Sequence, residues 1–178
     1  MALSPRLAGY DNLILDLDGC VYVGVEPTPG AVEAIDELRA AGKGVSFVTN
    51  DPRHSGEDYV RRLWRMGIRA SLTDVVTVGA ATQHLLAETR PGRTAFVIGT
   101  EAMRKHVGDA GLQLLNDTEL ASRAEVVVVA GTEDLVYDDL KQASLAVRAG
   151  ADFVGAGRGC DDPKEHGPEE SEYEVCAA

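Results

Sequence analysis

The feature that most constrains the fold of this chain is an apolar run, Leu13 to Leu15, that leads directly into Asp16-Leu17-Asp18-Gly19. A short apolar run that ends in a turn signal predicts a buried strand of a parallel sheet. Open α/β sheets bind their ligands beyond the carboxyl ends of the strands. Because Gly19 lets the chain leave strand geometry there, we expect both carboxylates to face the same crevice.

Two carboxylates this close repel each other unless a cation or a shared proton compensates them. Mg²⁺ suits such a pair, because it takes hard oxygen ligands and commonly binds one or two carboxylates together with substrate phosphate. The pair therefore favours attack by one Asp on a phosphoryl group, while the other Asp transfers protons. The alternative is an ordinary strand-to-turn corner, in which Asp is common. This stretch alone leaves both interpretations open.

The next segments predict a βαβ unit. Residues 31–41 carry apolar side chains at helical spacing, and the second strand, Val45 to Val48, runs into Thr49 and Asn50. A crossover of this kind places the two strands side by side and parallel. We therefore expect Thr49 and Asn50 at the same sheet edge as the Asp pair, where a hydroxyl and an amide can hold a phosphate oxygen. The alternative for these two residues is a polar turn that closes a strand.

Composition excludes several classes of function. The net charge of −12 argues against a nucleic-acid or an anionic-membrane partner, because phosphate backbones need clustered Lys and Arg. The N-terminal residues have no apolar run long enough for a signal peptide, and no later run approaches membrane-spanning length, so we expect neither a signal peptide nor a membrane span. Three cysteines without CxxC spacing fit a reducing compartment and support neither a disulfide framework nor a zinc site. We therefore expect a cytoplasmic protein.

Strands and helices alternate as far as about residue 155, which predicts an α/β fold. The last segment differs, because residues 158–178 hold seven carboxylates against two basic side chains and carry almost no apolar residues. Such a segment cannot bury enough surface to order itself.

The apolar runs into Asp16-x-Asp18-Gly19 and into Thr49-Asn50, with the spacing between them, resemble the haloacid dehalogenase-like (HAD) hydrolase superfamily. More narrowly, DLDGCVYVG with FVTN is similar to subfamily IIA, which includes p-nitrophenyl and phosphoglycolate phosphatases. The resemblance implies a HAD-like Rossmannoid parallel sheet with an inserted α/β cap. Only one helix and one strand fit between the two motifs, so a cap must follow the second one.

This resemblance divides the chain into three predicted parts: residues 1–90 as the N-terminal part of the core, 91–155 as an α/β cap of the C2 type, and 156–178 as an acidic, disordered tail. The pattern of the family breaks near Gly155. We interpret this break as a truncation or a shifted reading frame, so that only the N-terminal half of the core is expected.

The resemblance also assigns roles to residues. It implies that Asp16 is the nucleophile that takes the phosphoryl group, and that Asp18 is the general acid and then the general base. Asp16, Asp18 and the Leu17 carbonyl would hold Mg²⁺. Phosphate would be bound by Thr49 and Asn50, together with Gly19. The substrate implied is a small-molecule phosphate monoester, and Gly131 to Asp134 is the expected specificity loop of the cap.

Two departures from the family pattern limit these expectations. Asp51 stands where the subfamily usually has Asn, and it adds a negative charge beside a phosphate site. The Lys and the distal acidic residues that complete the family's site have no counterpart in a suitable context: Lys141 lies in a cap-like helix, and Lys164 and Asp161-Asp162 lie in the tail. Because residues that act as a unit lose most of their effect when one is missing, weak activity or none is expected.

The alternative function is a non-catalytic remnant that acts as a ligand-binding or interaction module. A sheet that lacks strands leaves an open edge and exposed apolar faces, so we expect association with a second copy through the cap or the open core edge. A receiver-type phospho-acceptor domain ranks far behind, because its acceptor Asp would end a later strand, and neither Val48 nor Val78 is followed by Asp.

Overall fold

The computed structural model describes residues 4–132 and 134–156 of the 178-residue chain. The first part of this region forms α1 (Pro5–Ala8), β1 (Asn12–Asp16), β2 (Tyr22–Val23), β3 (Glu26–Pro27), α2 (Ala31–Ala40), β4 (Gly44–Thr49), α3 (Gly56–Arg65), β5 (Val75–Thr77) and α4 (Val78–Thr89). The second part forms β6 (Thr94–Ile98), α5 (Glu101–Asp109), β7 (Gln113–Leu114), β8 (Val126–Ala130), α6 (Tyr137–Arg148) and β9 (Asp152–Ala156). The α/β fold class predicted from the sequence is confirmed.

The first sheet contains three parallel strands in the order β1-β4-β5. Its register aligns Asp16 with Val48 and Thr49 with Thr77, so the three strands end at one edge. A capping box begins α3, in which the side chains of Ser55 and Asp58 each bond the backbone of the other residue. One core cluster lies between this sheet and its helices; its largest buried members are Leu17, Tyr22, Phe47, Tyr59 and Leu63.

The other face of this sheet is uncovered in the part of the chain that the structure describes. Ile14 is 71% exposed and Val76 is 47% exposed, and both side chains lie on this face. The prediction that the Leu13 to Leu15 run is buried was therefore wrong for Ile14. A parallel sheet is normally covered on both faces, whereas here α2 and α3 cover only one.

The second sheet contains four parallel strands in the order β7-β6-β8-β9, and helices pack on both of its faces. Leu86 of α4 and Met103 of α5 join the core on one face, whereas Ala143 and Ala146 of α6 join the core on the other. Since α4 packs against this second sheet, the boundary along the chain between the hydrophobic cores of the two sheets lies near Val78. The predicted boundary at residue 90 falls after this helix.

Three local details complete the description of the elements. The segment after Asp18 forms a small antiparallel hairpin of β2 and β3. Helix α4 begins at Val78, because the Thr77 side chain accepts a hydrogen bond from the Ala80 amide and caps the helix. Ala156, predicted as the first residue of the tail, ends β9 and is buried; the rest of the predicted tail lies outside the described residues.

Helices α4 and α6 have twelve residues each and are the longest that the structure describes. They fall short of the ~20 apolar residues that a membrane-spanning helix needs, and no described helix meets that requirement.

Candidate active site

The carboxyl ends of β1 and β4 bring the first two predicted motifs together. Asp16 ends β1 opposite Val48, and the next amide, that of Leu17, donates a hydrogen bond of 3.2 Å to the Val48 carbonyl. Thr49 ends β4 and is buried, with 6% of its surface exposed, whereas Asp16 and Asn50 are exposed. The Asp16 carboxylate accepts a 2.9 Å hydrogen bond from the Leu17 amide at its Oδ1. The chain thus places an exposed carboxylate and a buried hydroxyl at one sheet edge, as the βαβ pattern predicted.

A tight loop follows Asp16 and positions Asp18. The Leu17 carbonyl accepts hydrogen bonds from the amides of Val21 at 2.9 Å, Tyr22 at 3.1 Å and Cys20 at 3.4 Å. Since these three donors occupy it, this carbonyl points into the loop. The expectation that it is a magnesium ligand was therefore wrong, because its lone pairs serve the backbone of the turn.

Gly19 makes this loop possible. Its φ of +78° lies in the left-handed region that other residues rarely adopt. Its amide donates a 2.8 Å hydrogen bond to the Tyr22 carbonyl, which closes the loop. This agrees with the prediction that Gly19 lets the chain leave strand geometry after the Asp pair. Because its amide is engaged within the loop, phosphate binding by Gly19 stays a prediction.

Asp18 lies exposed among four other charged groups. Partial desolvation by the surrounding loops raises the pKa of Asp18 above its ordinary value, and Arg62 opposes this shift. Of the remaining charges, Asp51 and Asp16 raise the pKa and Arg53 lowers it. A raised pKa makes the protonated carboxyl easier to reach, which is the direction that a general acid requires.

Asp51, which we expected to repel phosphate, is paired. Its carboxylate accepts hydrogen bonds from Arg53 Nε at 2.8 Å and Nη2 at 3.1 Å, in a bidentate arrangement. Burial acts to raise the pKa of Asp51, but the Arg53 side chain and backbone bonds outweigh it and hold the pKa below its usual value. The Asp51 amide also donates to Thr49 Oγ1 at 3.1 Å. This carboxylate is therefore ionised, compensated and part of the Thr49 loop.

Sequence reasoning missed both arginines of this site. Arg53 follows Asp51 at a spacing of two residues, and that spacing is the signal that would have indicated a local ion pair. Arg62 lies in the middle of an amphipathic helix, where an Arg most often faces solvent, so the sequence carries no local signal for it.

The two carboxylates at this sheet edge are the candidate metal ligands of the predicted site. No cluster of three or more His, Cys, Asp and Glu side chains with metal-binding geometry occurs among residues 4–132 and 134–156. Asp16 and Asp18 supply two carboxylates, which fits Mg²⁺, since this ion completes its shell with substrate phosphate and water. Of the residues considered as substitutes for the distal Lys and acidic groups, Lys141 lies in α6, with its Nζ 3.9 Å from Asp138 Oδ1. Lys164 and Asp161-Asp162 fall outside the described residues.

A polar cleft of about 610 Å³ lies between the Asp51 loop and the second sheet. Thr100 Oγ1 donates a 3.2 Å hydrogen bond to the Pro52 carbonyl, and a side chain at Gly131 would come within 3.2 Å of the Pro52 ring. The hydrogen bond joins the two parts of the chain beside the site, and Gly131 approaches Pro52 closely there. The polar and charged side chains lining the cleft are Arg53, His54, Thr100, Glu101, Arg104, Thr132, Asp134 and Asp139.

Comparison with known proteins places this geometry in a family. Residues 13–113 match the model of the haloacid dehalogenase-like hydrolases, and this segment includes β1, β4 and the loops that carry Asp16, Asp18 and Thr49. The chain belongs to the haloacid dehalogenase-like hydrolases. The resemblance seen in the Asp16 and Thr49 motifs is thereby confirmed.

This HAD-like chain is similar to proteins that are named as phosphatases. It is 36% identical over 159 residues to D-glycerol 3-phosphate phosphatase of Mycobacterium tuberculosis, which corresponds to 89% of this chain and 44% of the relative. It is 32% identical over 158 residues to acid sugar phosphatase of Staphylococcus aureus, or 89% of this chain and 60% of the relative. This HAD-like chain spans about half the length of the relatives that it matches.

The structure of the M. tuberculosis glycerol phosphate phosphatase in complex with magnesium superimposes with a TM-score of 0.75 at 36% identity. The superposition covers 83% of this chain and 44% of that protein. The HAD fold is therefore shared over nearly the whole described region.

Proposed function

We propose that this chain binds small-molecule phosphate monoesters at the β1–β4 edge and hydrolyses them in a magnesium-dependent reaction. The observation that carries the proposal is the convergence of Asp16, the Asp18 loop and buried Thr49 at one sheet edge, beside a polar cleft. The family membership supports it, and so do the names of the relatives, which act on glycerol phosphate and sugar phosphates.

The reaction that this arrangement supports has two steps. In the first, an Asp16 carboxylate oxygen attacks phosphorus and forms an aspartyl-phosphate, while the bond to the ester oxygen breaks and Asp18 protonates that oxygen. In the second, Asp18 takes a proton from water, the water oxygen attacks phosphorus, and Asp16 is released with inorganic phosphate. In this proposal, Thr49 and Asn50 bind the phosphate oxygens during both steps.

The cofactor of this proposal is Mg²⁺, which Asp16 and Asp18 would hold and which would offset the charge of the phosphate. The raised pKa of Asp18 supports its role as the acid of the first step. The bidentate Arg53 side chain removes the electrostatic objection to Asp51, because the carboxylate next to Thr49 is already compensated.

The cleft suggests where the alcohol part of the ester would lie. Arg53 and His54 extend into it from the Asp51 loop, and Thr132 and Asp134 line it from the predicted specificity loop, of which Glu133 is not described. Buried Arg104 Nε has no hydrogen-bond partner among the described residues. These polar groups favour a leaving group that carries hydroxyls, as in polyol and sugar phosphates, over an apolar one.

A second candidate function, that of a non-catalytic binding or interaction module, is favoured by the exposed apolar face at Ile14 and Val76. On the catalytic proposal we expect slow turnover, because the distal Lys and acidic residues of the family have no counterpart among the described residues.

Phosphate release from p-nitrophenyl phosphate and glycerol 3-phosphate, with and without Mg²⁺, tests the proposal. We expect activity in the unchanged chain and its loss in Asp16→Asn, since this change removes the nucleophile. The matched control is Asp36→Asn, the same change at an exposed position of α2, and it should leave activity unchanged. Equal rates in the unchanged chain and Asp16→Asn would exclude the mechanism and favour the binding module.

A further inference from the structure

The guanidinium of Arg62 lies over the rings of two buried tyrosines. Its central carbon is 5.3 Å from the ring centre of Tyr22 and 5.9 Å from that of Tyr59. Arg62 Nη1 also donates a 3.3 Å hydrogen bond to the Tyr22 hydroxyl. Tyr22 is 0% exposed and Tyr59 is 1% exposed. A cation placed over aromatic faces in a desolvated setting is worth more than the same contact in water.

Tyr22 anchors the loop that carries Asp18. Its amide donates to the Leu17 carbonyl and its carbonyl accepts from the Gly19 amide, so its backbone closes the loop at both sides of Asp18. Asp18 and Tyr22 also form a β-bridge. Any displacement of the Tyr22 ring therefore moves the backbone on which the Asp18 side chain is mounted.

Tyr59 anchors the other loop of the site. Its hydroxyl donates a 3.4 Å hydrogen bond to the Asp51 carbonyl, and it also shares a hydrogen bond with the Thr49 side chain. Burial, with the nearby Asp51 charge, keeps the Tyr59 phenol protonated, so it remains a donor throughout the neutral pH range. Tyr59 thus holds the Thr49–Asp51 segment in place, as Tyr22 holds the Asp18 loop.

We propose that Arg62 is a positioning residue that couples these two loops by holding Tyr22 and Tyr59 against one guanidinium. Arg suits this task better than Lys, because its planar group can stack on aromatic rings and carries several N–H donors, of which Nη1 reaches the Tyr22 hydroxyl. The coupling lies in the folded chain itself. It rests on the proposed function only where it is extended to the rate of phosphate hydrolysis.

Hydrogen exchange measured by NMR on the full chain, without metal or substrate, tests the coupling directly. In Arg62→Gln we expect the Gly19 and Tyr22 amides to exchange about tenfold faster, as the loss of a desolvated cation–π contact implies. The amide of Phe47, in the middle of β4, should be unchanged. Arg62→Lys keeps the charge but not the planar contact with both rings, and should recover only part of the protection.

Arg65→Gln is the matched control, since it removes the same charge from the same helix at an exposed position and should leave all these amides unchanged. Unchanged exchange at Gly19 in Arg62→Gln would overturn the proposal. So would a uniform increase that includes Phe47, because Arg62 would then contribute only to global stability. If Arg62→Gln does not fold, the variants Arg62→Lys and Tyr22→Phe replace it. A Gly19 exchange rate equal to that of the unchanged chain in both variants would also overturn the proposal.

If the chain hydrolyses phosphate esters, Arg62→Gln should lower kcat about tenfold and Arg62→Lys should restore part of it, with Arg65→Gln equal to the unchanged chain. Accelerated exchange at Gly19 without any hydrolysis in the unchanged chain would refute the proposed function and leave the coupling intact. Hydrolysis by the unchanged chain, together with unchanged exchange at Gly19 in Arg62→Gln, would support the proposed function and refute the coupling.

Discussion

The ion pair between Asp51 and Arg53 gives a stability prediction that can be worked from the structure. The Asp51 side chain is 11% exposed and that of Arg53 is 44% exposed, so Arg53→Gln leaves a largely buried carboxylate without its side-chain partner. Exposed ion pairs are worth about 0.2–1 kcal/mol, and breaking a fully buried pair costs about 3–5 kcal/mol. Because Arg53 is half in solvent, we expect a loss of about 1–2 kcal/mol at pH 7.

The pH dependence of this loss follows from the pKa of Asp51, which the folded state lowers from 3.8. A carboxyl whose pKa is lower in the folded state contributes stability above its unfolded pKa, and that stability is lost as the pH falls through the folded pKa. The difference in unfolding free energy between Arg53→Gln and the unchanged chain should therefore be largest near pH 7 and should shrink below about pH 4.

Urea unfolding followed by tryptophan fluorescence is the assay. Trp64 is the single tryptophan of the chain and lies in α3, where its indole N–H donates to the Ala70 carbonyl at 2.6 Å. Its emission therefore reports on the half of the chain that holds the ion pair. A double-mutant cycle with Asp51→Asn isolates the interaction from the other contacts of Arg53. A loss that persists in the Asp51→Asn background, or that does not depend on pH, would refute the reasoning.

Two further predictions concern the Gly19 turn and the open sheet face. Gly19→Ala should lower the unfolding free energy by about 1 kcal/mol through backbone strain alone, because φ is +78° and no atom lies within 4 Å of the added carbon. The matched control is Gly9→Ala, at φ −81°. An equal effect of the two changes on stability would contradict this explanation. Ile14→Lys should reduce self-association in light-scattering chromatography, because it charges the exposed apolar face, whereas Leu145→Lys on α6 tests the cap surface. A wild-type chain that is already monomeric would contradict the first expectation.

Much of the candidate active-site edge was predictable from sequence, because it depends on contacts between residues that are close in the chain. One βαβ unit, from β1 to β4, determines that Asp16 and Thr49 end at the same edge, and its apolar pattern with intervening turn residues is visible without a structure. The ranges of α2 and β4 followed from the same pattern to within a residue. These elements are locally encoded, so local reasoning recovers them.

What escaped sequence reasoning depends on packing between segments distant in the chain. The burial of Ile14 was mispredicted because an apolar run does not show whether both faces of its sheet are covered. Arg62 was missed because its partner Tyr22 lies 40 residues away. The Leu17 carbonyl was misassigned because three backbone donors turn inward to it, and a motif does not show the path of its own backbone.

The charges around Asp18 show what Arg53 and Arg62 contribute to the electrostatics of this sheet edge. Asp16, Asp18 and Asp51 carry three formal negative charges when ionised, and Arg53 and Arg62 carry two positive ones. The edge thus has a net charge of −1 before any ligand binds, and a phosphate dianion would meet repulsion there. Bound Mg²⁺ would change the sign to +1, which attracts the dianion. We therefore expect phosphate binding at this edge to depend on magnesium more strongly than on either arginine alone, since a single arginine removed leaves the metal-loaded edge at zero.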